Sequence, residues 1–212
     1  MPKFCLSLFL FTFFILGGCS SDSGTNSKDT VIMPLKIGNT WTGKLWTLVE
    51  GSQNYYERPG IYRISNDTSY DNATWYVMDR IIDGDTTSDY FIFRNETNGL
   101  NALYEIDSQN FMKALWAKHP ASVGDEYLSG LNNIETVTVT TVDTVVNVAY
   151  GDFICTVYRH EYESTSGPKQ EIYYLGPNIG LVKIEFFQTD IDNHLYMNQM
   201  WELEIYQGSK SP

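Results

Sequence analysis

Strict alternation of apolar and polar residues constrains the fold of this 212-residue chain more than any other feature. In segment 200–206, Trp201, Leu203 and Ile205 lie on one side of an extended chain and glutamates lie on the other, and segment 181–187 alternates in the same way. Successive side chains of a β-strand point to opposite faces, so this pattern predicts antiparallel strands with one buried face. Apolar stripes with the helical repeat extend for no more than two turns, so we expect little helix.

Strand and turn patterns recur through the rest of the chain. Segment 135–148 is rich in Thr and Val, and its apolar phase shifts near Thr140-Thr141, which predicts a β-bulge. Asp83-Gly84-Asp85 and Asn98-Gly99 are typical of hairpin turns. Segment 111–118 fits either a further strand or a short helix.

Together these segments predict one all-β domain over residues 31–208. Roughly ten antiparallel strands in one domain imply a single curved sheet that forms a barrel or half-barrel, because a flat sheet of that size would leave its apolar face uncovered.

The net charge of the chain limits the kinds of partner that it can bind. With 26 acidic against 14 basic residues, the chain should repel nucleic acid and anionic lipid surfaces, and the acidity also serves solubility.

The start of the chain is typical of an export signal. Lys3 precedes the apolar run 4–16, which at about 13 residues is shorter than the roughly 20 that span a bilayer. The run ends in Leu16-Gly17-Gly18-Cys19, which resembles the lipobox of bacterial lipoproteins. The resemblance implies a signal peptide over residues 1–18 and a diacylglyceryl group on the thiol of Cys19. The alternative is an ordinary cleaved signal with a chance cysteine.

Residues 19–30 hold the predicted lipid-attachment cysteine and a polar stretch with no apolar side chain, which favours a flexible tether. An acylated Cys19 would anchor the mature protein to a membrane without crossing it. Ser20 after the cysteine, in place of Asp, is compatible in that family with sorting to an outer membrane. We therefore predict a lipid-anchored protein of the cell envelope, periplasmic or surface-facing.

No motif for catalysis or for a cofactor is evident in the sequence. The histidines His119, His160 and His194 have no metal-ligand spacing and lie near no nucleophile motif. After processing, Cys155 would hold the sole free thiol, so no internal disulfide forms, and its apolar neighbours predict a packing role. We predict a protein that is not an enzyme and that has no cofactor.

Three sets of residues are candidates for a binding site. The acidic loops of residues 83–89 and 190–193 could bind calcium, although neither has the full EF-hand spacing and Asp is a common turn residue. An aromatic set could form a ligand-stacking surface or simply fill the core. The residues of these sets are Asp83, Asp85 and Asp89, then Asp190, Asp192 and Asn193, and the aromatic Trp41, Trp46, Tyr55, Tyr56 and Tyr62.

Three blocks along the domain resemble a group of uncharacterised bacterial envelope lipoproteins. They are Pro34-Leu35-Lys36-Ile37-Gly38-Asn39-Thr40-Trp41, Tyr150-Gly151-Asp152-Phe153-Ile154-Cys155 and Tyr173-Tyr174-Leu175-Gly176-Pro177-Asn178-Ile179-Gly180-Leu181-Val182-Lys183. The resemblance implies an antiparallel barrel or half-barrel like the lipoprotein-carrier fold, and it implies no catalytic residues.

Two functions remain open at the level of sequence. The first is non-enzymatic binding of an apolar or glycan ligand, which predicts an aromatic-lined pocket of at least ~300 Å³. The second is a structural or protein-interaction module of the envelope, which predicts a filled interior and an exposed apolar patch.

Overall fold

The computed structural model describes residues 31–107, 110–190, 192 and 194–208. The predicted signal peptide and tether, including Cys19, lie outside the described residues. Every described strand pairing joins residues within the predicted domain. The domain is all-β, as predicted, and its one described helical element is the short 3₁₀ turn Leu131–Asn133.

Twelve strands form one antiparallel sheet. Their bounds are β1 Thr40–Leu48, β2 Tyr55–Tyr70, β3 Ala73–Ile82, β4 Asp85–Glu96, β5 Gly99–Asp107, β6 Asn110–Lys118, β7 Glu126–Ser129, β8 Glu135–Val148, β9 Gly151–Ser164, β10 Gly167–Gly176, β11 Gly180–Thr189 and β12 Leu195–Gln207. Strands β1 to β6 form one meander and β7 to β12 form a second. Pairing of β1 with β12 joins the two meanders into a single curved sheet.

The sheet is nearly closed into a barrel, and two tyrosines, Tyr127 of the edge strand β7 and Tyr158 of β9, hydrogen-bond to the other edge strand, β6. The Tyr127 hydroxyl accepts from the Lys118 amide at 3.0 Å and donates to the Trp116 carbonyl at 3.2 Å. The Tyr158 hydroxyl donates to the Lys118 carbonyl at 2.6 Å. Edge-strand groups that would otherwise lack partners are thereby satisfied, which completes the curvature that the buried face requires.

Tight turns of the expected chemistry connect the strands. Asp83 and Gly84 have φ of 54° and 90°, and Asp71 and Asn72 have φ of 51° and 57°. Positive φ at both central residues belongs to the turn type that matches the twist of a two-residue hairpin, and Asp, Asn and Gly tolerate it best. The predicted hairpin at Asp83-Gly84-Asp85 is confirmed.

Large side chains fill one end of the barrel interior. Trp41, Ile64 and Trp201 are buried, and the Trp201 indole donates to the Gly60 carbonyl at 2.9 Å. The segment before β1 covers this end, where Met33 is fully buried and the Asn178 amide donates to the Val31 carbonyl at 2.8 Å. The chain therefore enters the barrel beside the β10–β11 turn, at the filled end.

Several predicted boundaries need correction. The sheet has twelve strands where about ten were expected, because β7 is only four residues long and its alternation is too short to detect. The polar, Pro59-containing stretch 55–60 also begins a strand, β2, because pairing with β1 overrides the turn preference of Pro59. Segment 111–118 lies in strand β6 and not in a helix, and the predicted bulge near Thr140-Thr141 is confirmed.

Ile205 lies on the wrong face for the predicted alternation. Thr42 pairs with Ile205 and Gly43 pairs with Leu203, so Glu204 is an extra residue in β12. A bulge of this kind reverses the side-chain phase beyond it. Ile205 is therefore 47% exposed, and Tyr206 turns inward against Trp41 at a ring-centroid distance of 5.4 Å.

Candidate functional site

The end of the barrel opposite the chain entry holds a cavity of about 550 Å³. Nine strands and the connection between β7 and β8 supply its wall. Leu131 and Ile134 of that connection border the cavity, and the turn between β9 and β10 lies at the same end. The volume falls within the usual range for small-molecule sites.

Aromatic side chains dominate the cavity wall. Seven rings line it, namely Tyr62, Phe91, Tyr104, Trp116, Tyr162, Tyr173 and Phe186. Trp116 is central among them, with ring centroids 4.6 Å from Tyr173 and 6.2 Å from Phe91. Trp116 packs edge-on against both rings, and Tyr62 packs edge-on against the buried Trp201, which fixes the orientation of these side chains. The wall thus offers rigid faces and edges of rings to a bound molecule.

Glu171 is held by two of these tyrosines. Its Oε1 accepts a hydrogen bond from the Tyr162 hydroxyl at 2.7 Å, and its Oε2 accepts one from the Tyr173 hydroxyl. Burial, followed by the negative charge of Glu171, raises the pKa of Tyr173 well above its ordinary value. Tyr173 therefore stays protonated and remains a hydrogen-bond donor. Both carboxylate oxygens of Glu171 thus accept hydrogen bonds from tyrosines of the cavity wall.

A second carboxylate, Glu135, pairs with a buried histidine. His160 Nδ1 lies 2.6 Å from Glu135 Oε1, and the His160 side chain has no exposed surface. His160 Nε2 has no hydrogen-bond partner among the described residues. The His160 ring packs 5.1 Å from Trp116 and 4.9 Å from Tyr173, so it lies directly behind the aromatic wall.

Two cations complete the charged groups of the wall. Arg80 lies over the Phe186 ring at 5.3 Å and donates to the Gln199 side chain at 3.4 Å. Lys169 stands on the same face of β10 as Glu171 and is partly buried. The cavity therefore combines an aromatic interior with two carboxylates and two cations, which suits a molecule with both an apolar body and polar groups.

The structure does not bring the predicted aromatic set together. Tyr62 is the member that lines the cavity, while Trp41 is buried at the filled end. Tyr55 and Tyr56 are more than 40% exposed, and the Tyr55 hydroxyl donates to the Met197 carbonyl at 2.9 Å. Trp46 lies on the outer face of β1, since Leu45 next to it points inward. The five residues are split between core and outer surface.

The described side chains of the two acidic loops lie outside the cavity wall, and that of Asp89 is not among them. In the 190–193 loop, Asp190 accepts from the Asp192 and His194 amides at 2.8 Å, and these hydrogen bonds lower the pKa of Asp190. Side-chain atoms of Asp190, Asp192 and His194 lie within 4.8 Å of one another, and all three residues are exposed. The amide hydrogen bonds account for this cluster as turn chemistry. Asn193 falls outside the described residues, and the Asp83 and Asp85 side chains are exposed at a hairpin.

Cys155 packs as predicted. It is 1% exposed, and burial raises the pKa of its thiol to about 12. Of the other two histidines, His119 precedes a cis proline beyond β6, and His194 is exposed in the loop before β12. The three histidines are not brought together at one site.

The charged residues of the cavity wall were missed in the sequence, although a signal for them exists. Glu135 is in phase with the buried Val137 and Val139, and Glu171 is in phase with the buried Tyr173. A charged residue that continues the buried phase of a strand toward its end points into the barrel near its mouth. That pattern singles out Glu135, Lys169 and Glu171.

Comparisons with known proteins show the fold alone. No protein-family description and no curated protein matches the sequence. A solved structure from Bacteroides fragilis, proposed to be an exported protein and described as having a YmcC-like fold, matches with a TM-score of 0.50 at 17% identity, covering 85% of this chain and 100% of that chain. A protein from Parabacteroides distasonis, proposed to be a lipoprotein, matches with a TM-score of 0.43 at 14% identity, covering 84% of this chain and 99% of that chain. The first likeness shows that the two chains share a fold. No helix in the part of the chain that the structure describes is long and apolar enough to cross a membrane.

Proposed function

We propose that this chain is a lipid-anchored protein of the bacterial cell envelope that binds a small ligand, apolar or glycan, in the cavity at the open end of its barrel. The supporting observation is the aromatic-lined cavity of about 550 Å³. This volume exceeds the ~300 Å³ at the lower end of the range for small-molecule sites, whereas a filled barrel interior would leave no such space. Rigid rings can stack on the apolar face of a sugar or on an aliphatic or aromatic group.

The proposal assigns binding without catalysis. Both oxygens of Glu171 are engaged by tyrosine hydroxyls, and Glu135 is engaged by His160. The His160 ring is enclosed behind Trp116 and Tyr173. These internal hydrogen bonds support a binding role for the wall.

Anchoring rests on the sequence. The lipobox-like Leu16-Gly17-Gly18-Cys19 supports acylation of Cys19, and the fold shared with an exported protein of Bacteroides fragilis is compatible with export. Metabolic labelling with an alkyne fatty acid tests this directly. The full chain should take up the label and partition with outer-membrane vesicles, and Cys19→Ser should abolish both. A labelled Cys19→Ser chain would contradict the proposal.

Native mass spectrometry tests ligand binding. The chain from residue 31 onward contains every described strand pairing, so it can be prepared without the anchor, exposed to lysate of its own host and measured under gentle conditions. A reproducible added mass of small-molecule size is expected, and fragmentation would identify its class. Leu131→Trp, which places an indole at the cavity border, should lose the added mass, while Val123→Trp on an exposed turn should retain it.

A protein-interaction module is the second candidate, and one observation favours it. Leu128 on β7 and Ile134 at the cavity border are 58% and 63% exposed. Exposed aliphatic side chains around a cavity could seat a partner chain. In the same experiment a clean mass without small ligand, together with an added mass of protein size, would favour this function and contradict small-molecule binding.

A further inference from the structure

Lys169 stands where three recesses of the open barrel end meet. It borders the main cavity together with Glu171 and Tyr173 of the same strand. It also borders an adjoining recess of about 230 Å³ beside Gln188 and Asn198, and one of about 520 Å³ beside Ile134. A molecule that extends from the aromatic interior into either recess would therefore pass beside Lys169.

The carboxylates that line the main cavity together with Lys169 already have partners within the protein. Tyrosine hydroxyls occupy both oxygens of Glu171, and His160 occupies Glu135 Oε1. The Lys169 side chain, in contrast, makes no hydrogen bond or ion pair with any residue that the structure describes. Its ammonium group is therefore available to an opposite charge on a bound molecule.

A polar atom beside Lys169 and a second cation in the main cavity add to the polar character of this end. Asn198 Oδ1, beside Lys169 in the smallest recess, is buried without a hydrogen-bond partner among the described residues. Arg80 lies across Phe186 in the main cavity and adds a second positive charge to the same wall. The chain as a whole is strongly acidic, with a formal net charge of −12. The positive charge of Lys169 in a recess is therefore opposite in sign to the net charge of the protein.

We infer that the ligand carries an anionic group, a carboxylate or a phosphate, that binds at Lys169 while its apolar or ring-shaped body stacks in the aromatic interior. This inference rests on the proposed ligand-binding function and narrows it to acidic glycans and acidic amphiphiles. The ring-lined interior supplies the contact area, and Lys169 supplies a charge-assisted hydrogen bond at the mouth.

Two fluorescent probes with the same aromatic body test the inference. Anilinonaphthalene sulfonate carries an anion, and N-phenylnaphthylamine does not. For the chain from residue 31 onward we expect the sulfonate to bind more tightly than the neutral dye, despite the acidic chain. Lys169→Ala should raise the Kd of the sulfonate dye about tenfold, which corresponds to the loss of one hydrogen bond to a charged group. The Kd of the neutral dye should change by less than about twofold. Lys169→Arg should restore binding. Lys113→Ala is the matched control, since Lys113 is exposed and pairs with Glu96 at 3.2 Å.

The outcomes separate this inference from the function on which it rests. If neither dye binds, or if both still bind to Leu131→Trp, the cavity is not a ligand site and the proposed function fails. If both dyes bind in the cavity and Lys169→Ala leaves the sulfonate unchanged, or weakens both dyes equally, the anionic-group inference is overturned. Displacement of the sulfonate by phenylacetate and by phenyl phosphate distinguishes a carboxylate from a phosphate. Equal displacement by neutral benzyl alcohol would also overturn the inference.

Discussion

Gly43 gives the most direct test of how the barrel is closed. It lies in β1, opposite β12, at the pairing that joins the two six-stranded meanders. A Cβ atom at this position would lie 2.1 Å from the Glu202 carbonyl oxygen and 2.6 Å from the Trp201 indole. Glycine is required here by the close approach of the two strands, so the cost of a substitution is steric.

We expect Gly43→Ala to destabilise the domain by about 3 kcal/mol. An extra methyl group in a well-packed interior costs about 1–3 kcal/mol, and the upper end applies because a backbone oxygen, unlike a flexible side chain, cannot rotate away. For a domain of this size about 1 kcal/mol lowers Tm by roughly 2–4 °C, so Tm should fall by about 6–12 °C.

Thermal and urea unfolding followed by tryptophan fluorescence provide the assay. Gly60→Ala is the matched comparison, since the three nearest atoms to its Cβ are side-chain atoms of Trp201 and Leu45, at 2.9 to 3.3 Å, and none is a backbone oxygen. We expect it to cost about 1 kcal/mol. If Gly43→Ala is no more destabilising than Gly60→Ala, β1 and β12 do not approach in this register, and the reasoning on barrel closure is wrong.

Three further outcomes follow from buried titratable groups. With its pKa raised to about 12, the Cys155 thiol should resist a thiol-reactive disulfide reagent at pH 8 in the native protein and react fully in urea; rapid native reaction would contradict its burial. Glu135→Ala should cost about 1–3 kcal/mol in urea unfolding, because His160 Nδ1 loses its buried partner, and an unchanged midpoint would argue against the pair. Burial raises the pKa of Tyr104 and Tyr173, so the native state holds their protons more tightly than the unfolded chain does. Their contribution to stability should be constant below pH ~10 and fall as the pH rises further, and a flat urea midpoint from pH 9 to 12 would contradict this.

The fold could be predicted from local pattern because side-chain alternation carries the decisive information for a sheet. Strand β8 was predicted with the bounds it has, since Thr and Val dominate Glu135–Val148. Ile205 was placed wrongly because a bulge at Glu204 depends on the partner strand and leaves no mark in the local sequence. Strand β7 was missed because four residues hold too little alternation to detect.

The site was less predictable than the fold. The predicted aromatic set was chosen by closeness in sequence, whereas Tyr62 and Trp116, which share one cavity, are separated by fifty-four residues along the chain. Cavity-wall residues come from nine strands, and their convergence is a property of the closed sheet. The aromatic-rich composition indicated that rings could line a binding site. It did not indicate which rings would surround a cavity and which would fill the core.

The sequence by itself determined that this chain is an antiparallel β protein with a lipobox-like start, because period-two alternation and the run before Cys19 are local properties of neighbouring residues. Only the tertiary structure decided that one end of the barrel is filled and the other is hollow. Filling depends on how the volumes of inward side chains from distant strands add up across the closed sheet. Closure of the sheet also places Lys169 in one cavity with Glu171 and Glu135, which are hydrogen-bonded to Tyr162 and His160. The spacing of these residues along the chain does not predict that arrangement.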